Sequence, residues 1–202
     1  VYASNEFGVT EKLKAVLGIR AELFQTYYTG QNQAATEVYN SAKIIDKLDL
    51  FPSANVIYSL TDEENLRGSC SRTTARPSFK EASKSQIFDA ITNRLFIGNI
   101  ELTPSYINNF DVRFEKFGEG SEMFAFSAFY KDFTDPIELT FYESAPDQIT
   151  PKNLGAAKVY GVEFEFRKSL GFVLEDLKDL KFNVNASYIN SELTMNIDEY
   201  NR

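Results

Sequence analysis

Histidine and tryptophan are absent from this 202-residue chain, and Cys70 is its only cysteine. Without His and with one Cys, no zinc site of the usual Cys/His kind can be built. Neither a Ser-His-Asp nor a Cys-His catalytic group is available, so no enzymatic turnover is expected. One cysteine forms no intramolecular disulfide and gives no signal of redox compartment. An oxygen-ligand site for a hard cation stays open, but EF-hand-like spacing is missing as well, and no metal or other cofactor is expected. Apolar runs of about 18 residues, the length of a membrane-crossing helix, are absent too. Crossing by strands stays open, because a barrel strand needs only about 10 residues of alternating pattern. Positive charge is in deficit: 21 Lys and Arg against 29 Asp and Glu give a formal −8. A nucleic-acid partner calls for a basic footprint and is set aside. Val1 to Gly8 shows no signal-peptide pattern, so an exported protein is expected here as a mature or internal segment.

What the chain does have is 18 Phe and 11 Tyr and a period of two, both favouring strands. Leu13, Ala15, Leu17, Ile19, Ala21 and Leu23 alternate with Lys12, Lys14, Gly18, Arg20 and Glu22. Further strands are read at Ala54–Leu60, around Leu66–Cys70, at Ile107–Phe117, at Glu122 to about Tyr142, at Ala156–Lys168 and at Lys181–Glu192. That makes about seven, joined as consecutive hairpins. Pro136 implies a bend in the fifth, and Gly118-Glu119-Gly120 reads as a hairpin turn. Breaks near 62–64 and 117–121 are short, whereas those near 26–51, 74–104 and 143–155 are long and polar. The connection 169–180 is intermediate, with a possible helical turn at Leu174–Leu177, and Ser78–Asp89 could form a short amphipathic helix, a surface loop segment being the favoured reading.

An antiparallel sheet in water alternates in the same way. Three features favour lipid on the apolar side. The clearest strands run about 11 to 13 residues, against about 5 to 6 in soluble proteins. Their polar faces interleave charges, as in Asn109, Asp111, Arg113 and Glu115. Tyr28, Tyr58, Tyr106, Tyr130, Tyr160 and Tyr188 fall at or near strand ends, where an interfacial girdle would lie. Short turns on one rim and long loops on the other are the habit of outer-membrane barrels. The fold expected is all-β: an antiparallel up-and-down meander forming a segment of a large transmembrane β-barrel.

Five segments carry a more specific likeness. Leu66-Arg67-Gly68-Ser69-Cys70-Ser71-Arg72-Thr73-Thr74-Ala75-Arg76-Pro77-Ser78-Phe79 is followed by Ile97-Gly98-Asn99 and Leu102-Thr103-Pro104. Then come Asn109 to Glu115, Phe129-Tyr130-Lys131-Asp132-Phe133-Thr134-Asp135-Pro136-Ile137, and Ala157 to Glu165. In this order and spacing they resemble barrel strands of TonB-dependent receptors, most nearly those of Bacteroidetes-type bacteria, over about residues 50 to 190. The resemblance implies a 22-stranded barrel in the outer membrane of a Gram-negative bacterium, with an N-terminal plug. It implies import of a scarce ligand (an iron chelate, cofactor or glycan) with energy passed by TonB. Partners would then be outer-membrane lipid, the receptor's own plug domain, TonB and a small ligand. Neither a plug, a TonB box nor a terminal aromatic residue is found, so residues 1–202 are expected to be an internal part of the barrel domain.

The lumen-facing candidates are Arg20, Glu22, Arg67, Asp111, Arg113, Glu115, Glu163, Glu165 and Arg167. Glu163 and Glu165 are neighbours on one face and could pair for acid–base or cation chemistry; with Arg167 beside them, a solvated lumen stripe is the favoured reading. Arg76-Pro77 could hold an anion but more often ends a strand. Gly161 is read as a packing site for a large neighbour, and Cys70 as inert packing on the apolar face. Two alternatives remain open at this level: a soluble or surface β-sandwich binding glycan or protein, and a small closed barrel of about eight strands.

Overall fold

The computed structural model describes residues 1–119, 122–142, 145–177 and 179–194. Gly120 of the expected turn and the terminal Asn201-Arg202 lie outside them. Among the described residues twelve strands form two sheets. The larger holds β1 (Tyr2–Gly8), β2 (Leu13–Gln31), β3 (Val38–Ser59), β4 (Glu64–Ala75), β7 (Ser105–Phe117), β8 (Met123–Thr134), β11 (Ala156–Ser169) and β12 (Lys181–Thr194), paired in that order. The smaller has the order β5 (Gln86–Asp89), β6 (Arg94–Ile97), β10 (Ala145–Asn153), β9 (Ile137–Tyr142). Every pairing is antiparallel except β10 with β6.

The meander is therefore as expected, with eight wall strands in place of seven. β1 was missed, and so was most of the tall hairpin. The stretch expected as a loop at 26–51 continues β2 and β3, paired out to Gln31↔Val38. The expected fifth strand is two strands in different sheets. Asp135 turns the chain at φ 53° ahead of Pro136, a left-handed conformation that Asp tolerates better than most residues. Its N–H bonds to Gly155 O and the Leu154 N–H to Pro136 O. Ser78–Asp89, where a short helix was one option beside a surface loop, is a single turn followed by β5. Ala82 N donates to Ser78 O, and Glu81 then accepts from the Ser78 N–H and hydroxyl. Two short 3-10 turns, Leu170–Phe172 and Glu175–Leu177, occupy the 169–180 connection.

The turns at 9–12 and 60–63, the ends of β7 and β8 at Phe117 and Met123, and the two 3-10 turns all lie at one end of the larger sheet. Two of them share a device. The hydroxyl of Thr10 accepts from the Leu13 N–H at 3.0 Å, and that of Thr61 from the Glu64 N–H at 3.1 Å, a Ser/Thr turn that replaces missing ladder bonds. At the opposite end lie the tip of the tall hairpin and the long connections that carry the smaller sheet.

Cross-strand register fixes the faces. Leu13, Tyr58, Leu66, Phe114, Phe126, Phe164 and Ala186 form one row across the sheet, and Ala15, Val56, Gly68, Val112, Ala128, Val162 and Tyr188 form the next. This face is apolar and uncovered: Leu23 is 66% exposed and Val112 55%. The expected apolar set shares it throughout, except that Leu60 falls in the turn. A sandwich would need a second apolar sheet against this face, and the smaller sheet does not supply one. Closure of a small barrel would need β1 to pair with β12; among the described residues they do not pair.

Candidate functional site

The polar face of the larger sheet gathers most of the charged candidates. Arg67 and Arg113 are direct cross-strand partners, and two like charges so placed repel. Glu115 resolves the conflict by putting one oxygen on each: Arg67 Nε donates at 2.7 Å and Arg113 Nε at 2.8 Å. Arg113 then reaches Ser127 Oγ and Glu165 Oε2, both at 3.0 Å, and Arg167 donates to Glu165 Oε1 at 2.6 Å. An alternating chain Arg67–Glu115–Arg113–Glu165–Arg167 thus crosses the sheet from β4 to β11. Asp111 accepts from Ser69 Oγ at 3.2 Å in the row above. Glu163 is exposed and has no hydrogen-bond or ion-pair partner among the described residues.

Arg20 and Glu22 share this face but stand apart from the chain. Glu22 takes Arg20 at 3.1 Å and Arg76 at 2.6 Å. Arg76 stands out in the sequence for its Pro77 neighbour; its partner Glu22, far away in sequence, is not readable from spacing. The Arg76 guanidinium also lies over Phe24 at 4.4 Å, within cation–π range. Tyr106 donates to Asp49 at 2.7 Å. These contacts tie the tall hairpin to β4 and β7, and sequence reasoning did not find Asp49 or Tyr106 as a pair.

Segments singled out in the sequence have physical reasons here. A Cβ on Gly161 would lie 2.4 Å from Tyr188 O and 2.8 Å from Phe129 Cζ, so the ring of Phe129 needs a glycine across from it. A Cβ on Gly98 would lie 2.5 Å from Ser83 O. Asn99 donates to Pro151 O at 3.2 Å, while Leu102 and Pro104 are buried. Asn153 closes the knot, accepting from Thr103 N and donating to Thr103 O and Asp135 O, each at 2.9 Å. The long connections are thereby fastened to the top of the wall. Beneath the smaller sheet lies a cavity of about 440 Å³, lined by Arg76, Glu81, Phe133, Ile137, Glu138 and Lys158 among others.

On the apolar face, charge marks two boundaries. Arg72, Asn108, Asp132, Lys158 and Glu192 form one row at the long-connection end. Directly below it lie Phe110, Tyr130 and Tyr160, again one row. Tyr28 is not part of this girdle; it sits high in the hairpin against Tyr39, ring centroids 5.6 Å apart. Tyr188 lies within the apolar belt. At the other end Lys116 pairs with Glu64 at 2.7 Å and Lys168 with Glu122 at 3.7 Å. The stretch of β11 from Lys158 to Lys168 is about 33 Å long at ~3.3 Å per residue. Tilted by ~40° it stands about 25 Å tall, the height of the apolar band of an outer-membrane barrel.

The sequence matches the family described as TonB dependent receptor-like, beta-barrel, over residues 1–201. No curated protein matches it. Solved structures do match in fold. The siderophore receptor PirA from Pseudomonas aeruginosa superposes with a TM-score of 0.71 at 15% identity, over 95% of this chain and 34% of that one. The ferric enterobactin receptor PfeA gives 0.63 at 16% identity, over 94% and 26%, and the copper transporter OprC gives 0.66 at 15% identity, over 95% and 28%. The chain spans about a third or less of the length of these structures. It belongs to the TonB-dependent receptor β-barrel family of the Gram-negative outer membrane, and its larger sheet is a segment of such a barrel.

Proposed function

We propose that the chain forms part of the wall of an outer-membrane receptor that imports a scarce metal chelate, with its polar face towards the lumen and its apolar face in lipid. One observation carries this reading. The larger sheet is sorted twice, apolar from charged across its thickness, and short turns from long connections along its height. A barrel that holds water and a plug inside and lipid outside needs both. Arg20, Glu22, Arg67, Asp111, Arg113, Glu115, Glu163, Glu165 and Arg167 then face the lumen. The chain of five ions satisfies itself, which leaves Glu163 free to meet a plug domain. The knot at Asn99 and Asn153 holds the smaller sheet over the cavity at the rim, where an incoming ligand would first be met. The metal-chelate class is favoured over a glycan because the solved relatives are named for siderophores, ferric enterobactin and copper. Energy would come from TonB through the plug.

The test is uptake of iron-55 as ferric chelates by cells in which the complete receptor is the only route. Uptake should need TonB and should fall when residues 78–97 are deleted. TonB-independent uptake, or starch-type oligosaccharides as the only cargo taken up, would overturn it.

A further inference from the structure

We propose that the outer wall carries a groove for one anionic lipid of the outer leaflet: an acyl chain lies along Ala54, Gly68 and Cys70, and its phosphate meets Arg72. The inference rests on the reading that the apolar face meets outer-membrane lipid.

The groove begins with a proline. The ladder between β3 and β4 ends at Ser53↔Ser71, and the next residue of β3 is Pro52, which has no N–H to give. Above it β3 pairs only with β2, while β4 continues with β7 as far as Ala75. The two strands part, and a cleft of about 590 Å³ opens on the apolar side, lined by Leu17, Ile19, Pro52, Ala54, Cys70 and Phe110 among others. At Ala54, Cys70 and Phe110 it runs into a second groove of about 500 Å³ that reaches Val56, Gly68 and Val112. Small residues make the floor and large ones the walls. Gly68 is the clearest sign: a Cβ there would meet no atom within 4 Å.

The upper end is polar. Arg72 and Asn108 line the cleft and face each other in register. Arg72 is exposed, its guanidinium rests on the Tyr106 ring at 4.8 Å, and it forms no ion pair with an acid among the described residues. Asp132 is two strands away in the same row and faces Lys158. A guanidinium fork with an amide beside it suits a phosphate. From Gly68 to Arg72 is about 13 Å along the strand, close to one leaflet of a hydrocarbon core about 30 Å thick. Lipid tails are as apolar as leucine, so the groove alone gains shape and dispersion rather than hydrophobic drive. Retention over bulk lipid therefore depends on Arg72.

The experiment uses the complete receptor extracted from outer membranes, exchanged into a mild detergent and analysed by native mass spectrometry with added lipid A or phosphatidylcholine. The unaltered protein should retain one lipid A, with phosphatidylcholine competing poorly. Arg72→Gln should weaken retention about tenfold, as loss of one charge-assisted hydrogen bond implies. Gly68→Phe, placed into open space, should abolish retention while the barrel keeps its heat-modifiable gel mobility. Equal retention of both lipids, unchanged retention in Gly68→Phe, or a dimer that Gly68→Phe dissociates would each overturn the proposal. A receptor absent from the outer membrane would instead sink the reading it rests on; one correctly located that fails the lipid assay sinks the groove alone.

Discussion

The lower wall and the upper hairpin use the same strands in opposite ways. In β2 the last apolar row on the outer face is Leu23↔Leu48, and the next is Gln25↔Asp46, joined by a 2.8 Å hydrogen bond. On the inner face the change runs the other way. Arg20 and Glu22 give way to Phe24, Thr26 and Tyr28, and the row Thr26↔Ile45 is buried, with Ile45 at 4% exposure. Below the row Arg20↔Phe51 the wall has no core of its own, and on the proposed reading lipid covers its apolar side. Above it, Ile45, Ala82, Phe96, Leu102 and Leu154 are buried as in a protein in water, and Phe51, on the inner face of that row, is buried too. On the proposed reading, the inversion marks where the hairpin leaves the membrane. β2 has 19 residues, and at ~3.4 Å each its length of about 65 Å is roughly twice the hydrocarbon core.

The comparison breaks first at Phe51. It is 4% exposed, with Arg20 over its ring at 5.1 Å, and removing such a ring costs about 3–5 kcal/mol. If the upper region has its own core, Phe51→Ala frees the tall hairpin and leaves the wall intact. Protease should then cut within residues 32–37 while the barrel keeps its folded gel mobility. Loss of both together would mean one shared core. The converse change is Val112→Arg, in the middle of the apolar face. An arginine near the bilayer midplane costs about 2–4 kcal/mol, read as a shift in the urea midpoint for folding into vesicles. Ile91→Arg in the 90–93 turn between β5 and β6 should shift it little.

These two sites also show what the sequence made legible. The wall was readable because its alternation is strict, as in Tyr160, Val162, Phe164 and Phe166 against Glu163, Glu165 and Arg167. The upper hairpin was not. Its pattern inverts, and its register shifts between Thr26 and Tyr27 and again between Tyr28 and Gly30, so no period of two survives across it. The smaller sheet combines two four-residue strands, β5 and β6, with β9, β10 and one parallel pairing, which leave no local signature. Face could be read for the charged candidates, whereas partner could not. Nothing in the spacing links Arg76 to Glu22 or Arg113 to Glu165, because hairpin register and sheet twist bring them together.

A smaller effect is expected on the polar face. Glu115 separates two arginines that are direct neighbours, so Glu115→Gln removes two ion pairs and leaves the repulsion. A fully buried pair would cost 3–5 kcal/mol to break, but Arg67 and Arg113 are partly solvated, which reduces the loss to about 1–2 kcal/mol. Restoring balance with Arg67→Gln in the same chain should recover part of it. Additive losses in the two changes, measured by urea unfolding from vesicles, would show that the ion chain does not act as a unit.

The smallest and most local test concerns the tip. Lys84, in the connection after β4, reaches Glu37 at 3.0 Å, and Tyr39 donates to the same carboxylate at 3.1 Å. The lysine, and secondly the tyrosine hydroxyl, hold the Glu37 carboxyl below its ordinary value, while Glu37 raises Lys84 above its own. The signs follow from linkage. A depressed carboxyl contributes stability above its unfolded value, and this is lost as pH falls through the lowered folded value. A raised lysine contributes below its unfolded value, and this is lost as pH climbs through the raised folded one. The contact is therefore complete across neutral pH and fails on the acid side below the usual carboxylate range. Because the pair is largely solvated, the consequence should be confined to the tip and weakened by salt. Amide exchange at residues 32–38 should quicken on acidification, beyond the intrinsic pH trend, while exchange in β7 and β8 holds. Lys84→Met should give the faster exchange at neutral pH and remove most of the acid response. A tip whose protection ignores both acid and this substitution would show that packing of Tyr28 against Tyr39, rather than charge, holds the hairpin to the connection after β4.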